Sequence, residues 1–174
     1  MTERRPAALL RIAVAALTLS AAGFAGLAVD EGYTDRAVVP LPGDRPTVGL
    51  GSTWRDDGTP VQPGDTITPV AAIQRAVIHI GKDEARLRKC MAGALMTQGE
   101  WDVLVNHSFQ YGSAKTCSST VARLTREGRH AEACQAYLAW RFFQGRDCRD
   151  PASGCRGVWL RAQERAQRCA EAAP

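Results

Sequence analysis

An uncharged run from Ile12 to Val29 dominates the first part of the chain and limits what can follow it. It is 18 residues long, bordered by Arg4, Arg5 and Arg11 on one side and by Asp30 and Glu31 on the other. That length only just crosses a bilayer as a helix. Ile12, Val14, Leu17, Leu19, Phe24, Leu27 and Val29 are strongly apolar, and the remainder is Ala, Gly, Ser and Thr. At −0.3 to −0.6 kcal/mol for each strongly apolar residue, insertion gains roughly −2 to −4 kcal/mol. The basic flank keeps Met1 in the cytoplasm and sends the chain after Asp30 outward. Residues 1–29 therefore read as a weak signal-anchor segment, in the inner membrane facing the periplasm and then released to the periplasm. Two alternatives stay open: a permanent anchor, and a signal peptide cleaved at the small-x-small sites Gly23-Phe24-Ala25 or Gly26-Leu27-Ala28.

Residues 30–174 have the size of one compact domain. The net charge of +4 falls to +2 without Glu3, Arg4, Arg5 and Arg11, too little to argue for a nucleic-acid partner. All six cysteines, Cys90, Cys117, Cys134, Cys148, Cys155 and Cys169, follow residue 89, and an even count in an exported domain reads as disulfides. Six cysteines allow 15 pairings. Cys148 and Cys155 are the pair that spacing selects, because Pro151 and Gly154 can turn the short loop between them. A metal site is the weaker alternative: there is no CxxC, and His79, His107 and His130 lack zinc-ligand spacing.

The fold class expected is α+β, a small β-hairpin lobe plus a helical lobe, preceded by an N-terminal hydrophobic helix. Val38 to Asp65 is rich in Gly, Pro and Asp, with β-prone pieces at Val38-Val39 and Thr47-Val48-Gly49-Leu50. Thr68 and Pro69 then start a long helix through Cys90, with Val70, Ile73, Val77 and Ile80 at helical spacing. Thr97-Gln98-Gly99-Glu100 is a capping box ahead of another helix. Further helices are expected at Ser119 to Arg126, His130 to Phe142 and Val158 to Ala170. Trp101, Trp140 and Phe109 read as core, while His107 and His130 have no partner visible in the sequence.

Glu31, Asp44 and Thr47 are the residues that could carry chemistry. Cleavage of a glycosidic bond needs an acid to protonate the departing oxygen and usually a second carboxylate. A Glu at a helix end facing an Asp and a Thr on a hairpin would supply them; by spacing alone they are equally ordinary surface groups.

Three ordered blocks change that balance. "DEGYTDRAVVPLPGDRPTVGLGST", "LMTQGEWDVLVNHSFQYGSAKTCSSTVARLTREG" and "AWRFFQGRDCRDPASGCRGVWLRAQERAQRC" together resemble the phage-type lysozymes, the muramidases of phage and prophage lysis cassettes, in their signal-anchor-release form. The resemblance implies a lysozyme-like fold and a glycoside hydrolase acting on the β-1,4 bonds between N-acetylmuramic acid and N-acetylglucosamine. It implies peptidoglycan glycan strands as partner, no cofactor, no metal and a monomer. Glu31 matches the family's general acid and Thr47 its hairpin threonine. The family's aspartate lies six residues before that threonine, where this chain has Leu41; Asp44, three before, is the candidate replacement. Arg161 falls where the family places an arginine near the acid, implying an ion pair with Glu31, against a solvated helix face. The resemblance leaves two rivals: a lytic transglycosylase, which needs only the glutamate, and an inactive wall-binding domain.

Overall fold

The computed structural model describes residues 10–40 and 43–173. In chain order its elements are β1 (Ile12–Ala13), α1 (Ala21–Glu31), β2 (Thr34–Val38), β3 (Thr47–Gly49), α2 (Pro69–Cys90), β4 (Leu95–Met96), α3 (Gln98–Tyr111), α4 (Ser113–Cys117), α5 (Thr120–Arg126), α6 (His130–Ala136), β5 (Phe142–Phe143), β6 (Arg146–Asp147) and α7 (Arg156–Ala172). The strands pair two by two and antiparallel: β1 with β4, β2 with β3, β5 with β6. The chain forms two units. Ala21–Asp83 is the smaller; Glu84 onward, together with the chain up to Ser20, is the larger.

Among the described residues, the run from Ile12 to Val29 does not form the single hydrophobic helix expected there. Ile12 and Ala13 lie in β1 opposite Met96 and Leu95, Val14–Ala16 make a 3-10 turn, and α1 begins only at Ala21. Among the described residues no helix is long and apolar enough to cross a membrane. The inner-membrane placement is corrected accordingly. The physical reason lies in the backbone of Leu17 to Ser20, whose polar groups are met by side chains of the larger unit rather than by a continuing helix. The Leu17 carbonyl accepts from Arg88 (2.7 Å), the Thr18 carbonyl from Gln98 (2.8 Å), and the Leu19 N–H donates to Glu84 (2.7 Å). The Ser20 N–H and hydroxyl both donate to the Asp102 carboxylate. Val14 and Leu17, each 2% exposed, serve the core instead of lipid. Arg11 pairs with Glu100 at 2.8 Å. The sequence-based division at residues 29 and 30 falls inside α1.

α2 starts at Pro69, but of the four apolar residues at helical spacing only Ile80 is buried. Val70, Ile73 and Val77 are exposed, and Ala72, Ala76, Ile80 and Leu87 are buried. Small side chains on that face allow close approach by the hairpin of the smaller unit. The capping box at α3 is complete: Thr97 accepts from the Glu100 N–H and Glu100 from the Thr97 N–H. The expected helix from His130 to Phe142 is shorter, ending at Ala136 before a 3-10 turn and the β5–β6 hairpin.

Disulfides staple the larger unit: Cys90–Cys117, Cys134–Cys169 and Cys148–Cys155, with no free cysteine. They close loops of 27, 35 and 7 residues. By loop entropy the two long ones contribute nearly 4 kcal/mol each and the short one about 2.5 kcal/mol. Replacing Cys134 and Cys169 together by Ser should therefore lower the unfolding free energy more than replacing Cys148 and Cys155, as read by chemical denaturation of each double variant.

His107 is fully buried among Tyr111, Tyr137 and Trp140, with the indole edge-on at 4.3 Å between centroids. The Thr116 hydroxyl donates to the Gly112 carbonyl and so receives the His107 Nδ1–H at 2.9 Å. Burial, helped by the nearby Arg165 charge, pushes the imidazole down to about 3. The unfolded chain, with His near 6.5, then binds one more proton than the native state below that pH, so stability falls on acidification. The expected slope is about 1.4 kcal/mol per pH unit between roughly pH 6 and pH 3. Denaturation of His107→Phe over the same range should show that slope removed; an unchanged slope would assign the acid sensitivity elsewhere.

Candidate active site

Glu31 closes α1. The following Gly32 takes the left-handed conformation (φ +67°), and its N–H returns to the Ala28 carbonyl at 3.1 Å, which ends the helix and turns the chain into β2. The Glu-Gly pair thus fixes a half-buried carboxylate at a helix terminus.

β2 meets β3 with Thr34 opposite Gly49 and Val38 opposite Thr47, and with a register irregularity between them. Val48 and Ser52 exchange two backbone hydrogen bonds of 3.0 Å, closing a three-residue turn over Gly49, Leu50 and Gly51. Both turn glycines have positive φ, +70° and +71°. They face different neighbours. A Cβ on Gly49 would lie 2.9 Å from the Ala72 Cβ, so this glycine lets the hairpin settle on α2 beside the core of Val48, Val61, Ile67 and Ala72. A Cβ on Gly51 would lie 2.8 Å from Glu31 Oε2.

The candidate residues of the smaller unit occupy three supports: Glu31 the end of α1, Asp44 the β2–β3 loop, and Thr47 the first position of β3. Asp44 and Thr47 are half-buried, and the Thr47 hydroxyl lies 3.5 Å from the Val38 carbonyl. Leu41, which stands where the family has its aspartate, is outside the described residues. Arg161 is half-buried on α7 of the larger unit. There it and Arg165 oppose the upward push that burial exerts on the Tyr111 hydroxyl.

The packing also gives partners to residues that stood alone in the sequence. His130 Nδ1 lies 3.2 Å from Glu100, and His107 belongs to the core described above. Nearby in the smaller unit, an open cavity of about 340 Å³ is lined by Val48, Arg55, Asp56, Asp65, Thr66 and Arg75. Two of the three carboxylates that line it are ion-paired, Asp65 with Arg55 and Asp56 with Arg75, both at 2.7 Å, and the third, Asp57, accepts from the Thr59 N–H and hydroxyl. The Arg55 hydrogen bonds, with the Gln62 N–H, hold Asp65 at about 2. This is a brace for the loops around β3. Glu31 lies apart from these pairs, with its carboxylate beside the Gly51 backbone.

The sequence pattern of the family described as phage lysozyme matches residues 28–153, a span that contains Glu31, both turn glycines, Asp44 and Thr47. The chain belongs to the phage lysozyme family. Among solved structures it is similar to the endolysin from Escherichia coli O157:H7 phage FAHEc1, with a TM-score of 0.76 and 25% identity over 91% of this chain and 98% of that one. The muramidase domain of SpmX from Asticaccaulis excentricus gives a TM-score of 0.71 at 22% identity, covering 88% of this chain and 97% of that one. The active form of the phage P1 endolysin Lyz gives 0.72 at 16% identity, covering 90% and 87%. These likenesses make the fold lysozyme-like. No curated protein sequence matches the chain.

Gly49→Ala should test how tightly the lysozyme hairpin is docked. Overpacking against Ala72, added to a left-handed backbone, is expected to cost 1–3 kcal/mol. Chemical denaturation should show that loss, while Gly64→Ala, with φ +94° and open space, loses about 1 kcal/mol.

Proposed function

We propose that this phage lysozyme family member is an endolysin that hydrolyses the β-1,4 bonds between N-acetylmuramic acid and N-acetylglucosamine in peptidoglycan, and so lyses bacterial cells. The observation that carries the reading is Glu31 itself: a half-buried carboxylate that ends a helix, with one oxygen beside a glycine turn, inside the segment that matches the family. The muramidase and endolysin names of structural neighbours agree with this substrate class.

In this reading Glu31 protonates the glycosidic oxygen as the bond breaks. Asp44 supports the positive charge that develops on the sugar or holds the incoming water, and Thr47 positions it. No metal or organic cofactor enters. The loop that carries Asp44 differs from the family pattern, which keeps a second reading in view: a lytic transglycosylase, in which the sugar's own hydroxyl replaces water and the glutamate alone suffices.

Glu31→Gln keeps shape and loses the proton, so turnover of purified peptidoglycan should fall at least a hundredfold with an unchanged circular dichroism spectrum. Retention of more than a few per cent would remove Glu31 from the chemistry. Asp44→Asn should lower turnover strongly; full activity there, with loss in Thr47→Ala, would move the second role to the threonine. Product analysis separates hydrolysis, which leaves a reducing sugar end, from transglycosylation, which leaves a 1,6-anhydro end.

A further inference from the structure

Gly51 stands out because it has two demands placed on it at once. Its φ of +71° is costly for any side chain, and a Cβ built on it would meet a single functional atom, Glu31 Oε2 at 2.8 Å, with the Glu31 carboxyl carbon at 3.7 Å. Gly58 and Gly64, on the same unit, share the positive φ and have nothing within 4 Å. Backbone geometry therefore accounts for glycine at all three positions, and closeness to a carboxylate distinguishes Gly51.

We infer that Gly51 is a positioning residue for the acid: its bare α-carbon forms the wall against which one oxygen of Glu31 rests. The inference rests on the proposed role of Glu31. The wall is stiff, since Val48 and Ser52 lock the turn by two hydrogen bonds of 3.0 Å, and Gly49 seats the same turn on Ala72. The Glu31 side chain has three rotatable bonds, and lining one side of its carboxylate with a fixed methylene group restricts the rotamers it can hold. A methyl group at position 51 would occupy the space of Oε2 and turn the carboxylate away. An acid displaced by about an ångström loses a large factor in rate while substrate binding elsewhere is retained.

Gly51→Ala, Gly58→Ala and Gly64→Ala separate this role from backbone strain. All three should lose similar stability in chemical denaturation. Only Gly51→Ala should lose turnover on peptidoglycan fragments, by tenfold or more in kcat with KM within threefold. A double-variant cycle adds a check that a merely structural role would not move. Glu31→Asp withdraws the carboxylate by one methylene, so its cost should be markedly smaller in the Gly51→Ala background than in the native one. A Gly51→Ala loss no greater than that of the control glycines, or full additivity in the cycle, would overturn the inference.

A direct measurement covers the case in which Glu31 proves not to be the acid. Nuclear Overhauser contacts between the Gly51 α-protons and the Glu31 γ-protons should be present in the native protein, and the Glu31 carboxyl carbon signal should move in Gly51→Ala and not in Gly58→Ala. Their absence would refute the contact whatever the enzyme does, whereas an active Glu31→Gln variant with the contact intact would refute the catalytic reading alone.

Discussion

The structure depends on how four consecutive residues, Leu17 to Ser20, satisfy their backbone. Peptide groups in a low-dielectric interior must find partners, and a helix supplies them internally. Here Arg88, Gln98, Glu84 and Asp102 supply them from outside the segment. The consequence is a break in the apolar run and a defined start for α1 at Ala21, while Gly32 ends that helix at Glu31. The same side chains have other duties: Glu84 also accepts from the Trp101 indole at 3.0 Å, and Asp102 from Gln98 at 2.8 Å. Nearly buried carboxylates are tolerable because each one is surrounded by donors.

The larger unit repeats this logic around Glu100, only 3% exposed. It caps α3, pairs with Arg11 and faces His130, joining α3, the start of α6 and the residue just before β1 at one carboxylate. Removing one member of such a set leaves a buried charge uncompensated, which costs more than the set contributes as a whole. Disulfides then tie α2 to α4 and α6 to α7, where short helices offer little apolar surface of their own.

In the smaller unit, one tripeptide turn serves both the packing on α2 and the approach to Glu31. Gly49 and Gly51 stand at the two ends of the turn that Val48 and Ser52 close, one beside Ala72 of α2 and one beside Glu31. A rigid turn is a better support for an acid than a mobile loop. The Arg55–Asp65 and Arg75–Asp56 pairs brace the segments that follow it.

Several features were determined by the chain alone. Pro69 after Thr68, the Thr97–Glu100 box and the left-handed glycines after Glu31 and Arg126-Glu127 act over a few residues, so local chemistry is enough to place them. The order of the opening, central and C-terminal blocks also points to the family from sequence alone. What tertiary structure decided are the matters that turn on partners distant in sequence. Uncharged composition made Ile12 to Val29 resemble a membrane helix, but its fate was set by groups about 65 to 80 residues away. Helical period located α2 without telling which face is buried, because alanines opposite a glycine turn outcompeted the larger Val70, Ile73 and Val77. The approach of Gly51 to Glu31 has the same origin: two residues twenty apart in sequence are brought within contact by a strand pairing, and only the fold displays it.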